Sequence, residues 1–304
     1  MDYNEFKEYI KCSALKMLGE EYEGKLHTVM KNNSVNMDAI LLNKKGSKVS
    51  PTIYLENYWI DYQKGRTLES ITNSVCNIVW ANRTPDFGDV DKFCEFENVK
   101  DRVVYKIINY AENEELLSKV PYVKVLDLAI VFLVLVDDDT LSNASVLIHN
   151  SHAAIWNVDA EVLYNEAKIN TPKLLSYDLK NIMYYIRKMI EPDPKKDDDF
   201  ELFNGDYEAP MYVLTNNLRM YGASTVLYKD LLENISNEME SDLIVLPSSI
   251  HEVIIVPKEE LHDGSFYREL VHEVNQNEVP KEDILSDSVY EYIRSEGALR
   301  LMVS

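Results

Sequence analysis

Phe6, Tyr9, Ile10 and Met17 recur at helical spacing behind Asp2 and Glu5, two acidic residues placed as in a capping box, and predict a helix over about 3–19. The period then shortens. Leu26, Thr28 and Met30 alternate with Lys25, His27, Val29 and Lys31, and after the turn-forming Asn32, Asn33 and Ser34 a second apolar stretch runs over 35–43, so 25–43 reads as a hairpin. Residues 51–55 form a short extended segment. Thr67 caps a helix bearing Leu68, Ile71, Val75, Ile78 and Val79, residues 82–91 are a loop, and Val99, Val103, Ile107 and Tyr110 predict a further helix from near Asn98.

The stretch 122–136, which includes the most apolar run at 125–136, contains a strand buried on both faces, with 145–149 returning beside it. Val158, Asp159 and Leu163 mark a stapled and capped helix start. A helix over about 178–190 carries Leu179, Ile182, Met183 and Ile186 inward. The later chain gives a strand at 211–215, a helix near 225–239, two strands meeting around Pro247, Ser248 and Ser249, a helix over 265–277, and a terminal hairpin around Ser295, Glu296 and Gly297. The expected class is α+β, with mixed or largely antiparallel sheet layers packed with helices.

Helical periodicity is lost over 191–208, where proline, glycine and charge concentrate. The expected organisation is an N-terminal α+β region over 1–190, an acidic loop or linker over 191–208, and a C-terminal α+β region over 209–304, all packed as one unit.

Composition narrows the function classes. Asp and Glu outnumber Lys and Arg by 52 to 31, a net charge of −21, which repels nucleic-acid backbones and anionic lipid surfaces. No run is long enough to span a bilayer as a helix, and the first segment lacks the basic and apolar regions of a signal peptide, so a cytoplasmic protein is expected. Three widely spaced cysteines, Cys12, Cys76 and Cys94, make neither a disulfide framework nor a metal motif. No cofactor and no metal centre are expected.

Candidate chemistry falls in a few places. Ser248, Ser249, His251 and Glu252 put two hydroxyls, an imidazole and a carboxylate at one turn, the ingredients of an activated serine nucleophile, although no nucleophile-elbow motif surrounds them and His251 shares a strand face with Val253 and Ile255. Arg219, Tyr221 and Ser224 precede an expected helix start and form a candidate anion site, where capping alone also accounts for Ser224. His262, Asp263, His272 and Glu273 lack a zinc-binding pattern, and Asp137, Asp138 and Asp139, like Asp197, Asp198 and Asp199, read as solvated turns.

Four stretches, 50–65, 212–230, 242–259 and 285–302, resemble a large family of proteins from anaerobic gut Firmicutes known only as a domain of unknown function; the segment LPSSIHEVIIVP at 246–257 is its most specific part. The resemblance runs over nearly the whole chain. It implies a bacterial protein, cytoplasmic or associated with a mobile element, and assigns no catalytic residue, cofactor or partner. The function expected is therefore that of an interaction or regulatory protein whose partner offers a basic or polar surface. The competing readings are a hydrolase using the Ser248, Ser249, His251 region and a module binding a small anion or metabolite.

Overall fold

The computed structural model describes residues 1–47, 51–81, 93–136, 145–190, 210–258 and 264–302. Three expected features, the loop at 82–91, the acidic triplets at 137–139 and 197–199 and the pair His262 and Asp263, lie outside them. So does the expected linker at 191–208. Contacts divide the chain into two units, one formed by 1–95 with 136–144 and the other by 96–135 with 145–304.

The first unit begins with α1 (Tyr3–Leu18), whose N-cap Asp2 and Glu5 bond each other's backbone amides. A sheet of β1 (Tyr22–Met30), β2 (Asn36–Lys44) and β3 (Thr52–Tyr54) follows, antiparallel throughout, then α2 (Glu56–Gln63) and α3 (Leu68–Ala81). Phe6, Ile10, Ala14 and Leu18 stand four apart on α1. They close against Ile71, Val75, Cys76 and Val79 of α3 and against Ile40, Leu42 and Ile53 of the sheet. Trp59 and Tyr62 of α2 tilt onto the Phe6 ring at centroid distances of 5.2 and 5.6 Å.

The second unit contains two sheets. In one, β4 (Val103–Asn109) runs antiparallel along one edge of β6 (Leu128–Leu135), while β5 (Tyr122–Val125) and β7 (Ser145–Leu147) share the other; the short α4 (Glu114–Leu117) lies between β4 and β5 in the chain. Next come α5 (Asn150–Trp156), α6 (Ala160–Leu174), β8 (Tyr177–Asn181), α7 (Ile182–Ile190), β9 (Tyr212–Asn216), α8 (Leu231–Glu238), β10 (Leu243–Pro247), β11 (Val253–Pro257), α9 (Gly264–Asn277), β12 (Tyr290–Ile293) and β13 (Ala298–Leu301). The other sheet has the order β13-β12-β10-β11-β9-β8 and is antiparallel at every pairing. The chain is thus α+β with antiparallel sheets. β8 and β9, on either side of 191–208, are neighbours in one sheet.

Thr171 of α6 fastens the helix to β4. Its hydroxyl donates to the Ala167 carbonyl at 2.6 Å and accepts the Tyr105 amide at 3.1 Å. Tyr267 and Val271 of α9 cover Ile244, Leu246 and Val256 of the larger sheet and Val289, which precedes β12.

Three expected elements are corrected, and one is extended. The helix from Asn98 is β4: Val103, Val104, Tyr105, Ile107 and Ile108 are all buried, so both faces are covered and the even pleat vanishes from the sequence pattern. The run over 122–136 contains the expected buried strand, β6, and also β5, the two folded into a hairpin at Leu126, which has φ +54°, and Asp127. The first residues of the helix over 178–190 are the edge strand β8, because β9 supplies its hydrogen bonds; the helix starts only at Ile182, with Asn181 Oδ1 accepting the Met183 amide at 2.9 Å. The helix near 225–239 is a 3₁₀ turn over Gly222–Leu227 and α8, separated at Asp230, whose φ of +60° no helix carries.

Candidate functional site

The end of β9 sets up the site. Asn216 is fully buried, and its side-chain oxygen accepts the amides of Leu218 and Met220 at 3.1 and 3.3 Å while its Nδ2 donates to the Met220 carbonyl at 2.8 Å. One amide side chain thus braces the loop that follows. Arg219 and Tyr221 within it have φ of +51° and +58°, left-handed conformations that cost a residue with a β-carbon free energy. Ser224, fully buried, donates its hydroxyl to the Tyr221 carbonyl at 2.7 Å and so stabilises the 3₁₀ turn from within.

The turn between β10 and β11 approaches this loop. Ser249 accepts the His251 amide on its hydroxyl at 3.0 Å, the Ser249 amide donates to the Glu252 carbonyl at 3.1 Å, and the Thr215 hydroxyl donates to the His251 carbonyl at 2.8 Å. The Tyr221 amide donates to His251 Nδ1 at 3.2 Å, and the two rings stack at 5.7 Å with an interplanar angle of 16°. Because a backbone N–H donates only to a lone pair, Nδ1 is the unprotonated nitrogen and the ring proton lies on Nε2. That nitrogen faces Asp283 Oδ1 at 3.4 Å. Asp283 is itself held near the turn, its carbonyl accepting the Ile250 amide at 2.8 Å.

Cations rest on tyrosine rings around this corner. Lys106 Nζ of β4 is 4.4 Å from the centroid of Tyr221, and the Arg219 guanidinium carbon is 5.0 Å from that of Tyr185 on α7. Arg219 is exposed, and its guanidinium has no carboxylate partner among the described residues. Burial pushes the Tyr185 phenol up to about 12, with Arg219 opposing the shift and Asp178 and Glu252 adding to it. Its hydroxyl is buried without a hydrogen-bond partner among the described residues.

The two candidate sets from the sequence, Ser248, Ser249, His251 and Glu252 in one and Arg219, Tyr221 and Ser224 in the other, therefore occupy one corner of the second unit. Among the described residues no hydrogen bond connects the hydroxyl of Ser248 or Ser249 to the imidazole. Sequence reasoning missed Lys106, Tyr185 and Asp283. Lys106 was hidden by the helical reading of β4, and Asp283 lies 32 positions from its partner with no local signal.

A second polar network in the same unit was anticipated only at His272. Asp127 accepts the hydroxyls of Ser286 and Tyr290 at 2.7 and 2.8 Å, Asn275 donates to the Ser286 carbonyl and to Asp287 Oδ1, and His272 Nδ1 meets Asp287 Oδ2 at 3.1 Å. A charged residue inside the most apolar run was the signal for Asp127. Among the described residues no group of three or more His, Cys, Asp or Glu is placed to hold a metal ion, and no helix is long and apolar enough to cross a membrane.

These features define an antiparallel α+β protein with a braced polar corner in which the two candidate sets meet. The chain belongs to a family of unknown function, DUF5688, whose pattern matches residues 3–294. No curated protein and no solved structure matches it.

Proposed function

We propose that the chain is a cytoplasmic, non-catalytic binding protein, an interaction or regulatory protein whose Arg219, Tyr221 and His251 corner receives an anionic group from a small metabolite or from a partner. The observation that carries this reading is the conformation of the loop. Arg219 and Tyr221 are held left-handed by a buried asparagine, a costly arrangement of the kind that gathers at functional positions, and it presents a guanidinium with no carboxylate partner among the described residues in a chain rich in carboxylates. Binding is favoured over hydrolysis because both nitrogens of His251 face groups other than a serine hydroxyl. The net charge of −21 favours a partner with a basic surface elsewhere on the chain and disfavours nucleic acid.

Calorimetric titration of the whole chain with sulfate and with a tricarboxylate tests the reading. Binding to the native chain is expected, with a loss of about tenfold or more in Arg219→Gln, as removal of a charge-assisted pair implies. Heat indistinguishable from dilution for both anions counts against the proposal, as does an unchanged affinity in the variant.

A further inference from the structure

Resting on the binding reading above, we infer that the corner takes up its anion together with a proton, and that His251 is the positioning residue that couples the two. In the structure, the Tyr221 amide and His251 Nδ1 satisfy each other at 3.2 Å. That bond needs the Nδ1 lone pair. When a solvent proton occupies Nδ1, two donors face one another, the bond is lost, and both N–H groups need an acceptor. An oxyanion satisfies the two together, and Arg219 in the same braced loop adds its own donors. A neutral acceptor can meet the pair of donors but leaves the positive charges of the imidazolium and of Arg219 without a counter-charge, so the ligand class is an oxyanion.

The surroundings bear on the charged imidazole from every side. Asp283, from the turn after α9, lies 3.4 Å from Nε2 and favours the imidazolium. Tyr221 stacks on the ring and carries Lys106 of β4 over its own face, which opposes it. Within its own turn His251 is flanked by Glu252 and by the Ser249 hydroxyl, which accepts its backbone amide. Arg219, beside Tyr185 of α7, supplies a second positive charge that an anion offsets. Proton uptake and anion uptake therefore support each other, as linkage requires: each raises the affinity for the other by the same factor.

The test is calorimetric titration of the full chain with sulfate, whose own charge is constant over the range, at about pH 8 and about pH 5.5, in buffers of differing ionisation enthalpy so that bound protons are counted. Sulfate is expected to bind about tenfold more tightly at the lower pH with net proton uptake, and this difference is expected to flatten in His251→Gln, which keeps polar groups but does not titrate. Equal affinity at both pH values with Arg219 still required overturns the coupling and leaves the binding reading intact. A pH profile that persists in His251→Gln also overturns it, by assigning the proton to another group. Absence of sulfate binding at either pH overturns the binding reading and the coupling with it.

Discussion

A methyl group added at Gly222 meets Thr215 Oγ1 at 2.2 Å, the His251 carbonyl oxygen at 2.5 Å and the Asn216 amide nitrogen at 2.7 Å. Two of these are backbone atoms that no rotamer change can move, so the close approach of the two loops depends on the missing β-carbon. Gly222→Ala is expected to destabilise the protein by roughly 1–3 kcal/mol, the range for overpacked interiors, read as a lower urea midpoint at unchanged slope. An unaltered midpoint means that the loops do not approach as described. The same contact explains why Arg219 and Tyr221 accept left-handed backbone: the braces from Asn216, Ser224 and Thr215 outweigh that cost.

At the level of elements, Glu291 ties three strands' worth of chain. It sits on β12 at 5% exposure and receives Lys258, which follows β11, on Oε2 at 2.7 Å and Arg300 of β13 on Oε1 at 2.8 Å. Burial alone raises a carboxyl's affinity for protons, but the hydrogen bonds from Lys258 and Arg300 outweigh it and hold this one below the usual carboxylate range. A folded-state value below the unfolded one means that the unfolded chain binds the proton more readily. The contribution to stability is present above the unfolded value and is lost as pH falls through the folded one. Glu291→Gln is thus expected to be less stable than the native chain near neutral pH and to close that gap in acid; parallel denaturation curves at both pH values contradict the assignment.

The helices α1, α3 and α9 and the strand β1 were legible in the sequence because exposed positions alternate with their buried or half-buried ones and the period survives, whereas β10–β11 and β12–β13, whose strands β10 and β12 are buried throughout, were legible from the turn residues between their strands. β4 was not, because burial of both faces erased the alternation, and β8 was not, because its partner β9 is 35 residues away at the Tyr177 to Tyr212 offset. At the candidate site, the turn residues Ser249, His251, Arg219 and Tyr221 announced themselves by residue type. Asp283, Lys106 and Tyr185 reach it only through the fold, and nothing in their local spacing distinguishes them from other surface residues.

Across the whole molecule, carboxylate excess sets how the surface meets its surroundings, and salt weakens any attraction of a basic partner to that surface by screening. Inside the second unit, burial raises the Tyr290 phenol and the neighbouring Asp127 carboxylate raises it further, so the phenol keeps its proton and donates it to Asp127 Oδ1 at 2.8 Å. Asp127 belongs to the turn between β5 and β6 and Tyr290 to β12, so this bond joins the unit's two sheets.

The pairing of β8 with β9 has a practical outcome. Their five register partners run from Tyr177 opposite Asn216 to Asn181 opposite Tyr212, and the bond from the Tyr228 hydroxyl to the Leu175 carbonyl at 2.6 Å adds a further stitch. A gene bisected between codons 190 and 210 yields two polypeptides that are each missing a neighbour in the same sheet, and co-expressed they should recognise one another by strand complementation and co-purify. Severing the covalent link removes the high effective concentration of one half near the other, so the reassembled pair becomes a switchable protein whose folding depends on how much of each fragment the cell supplies.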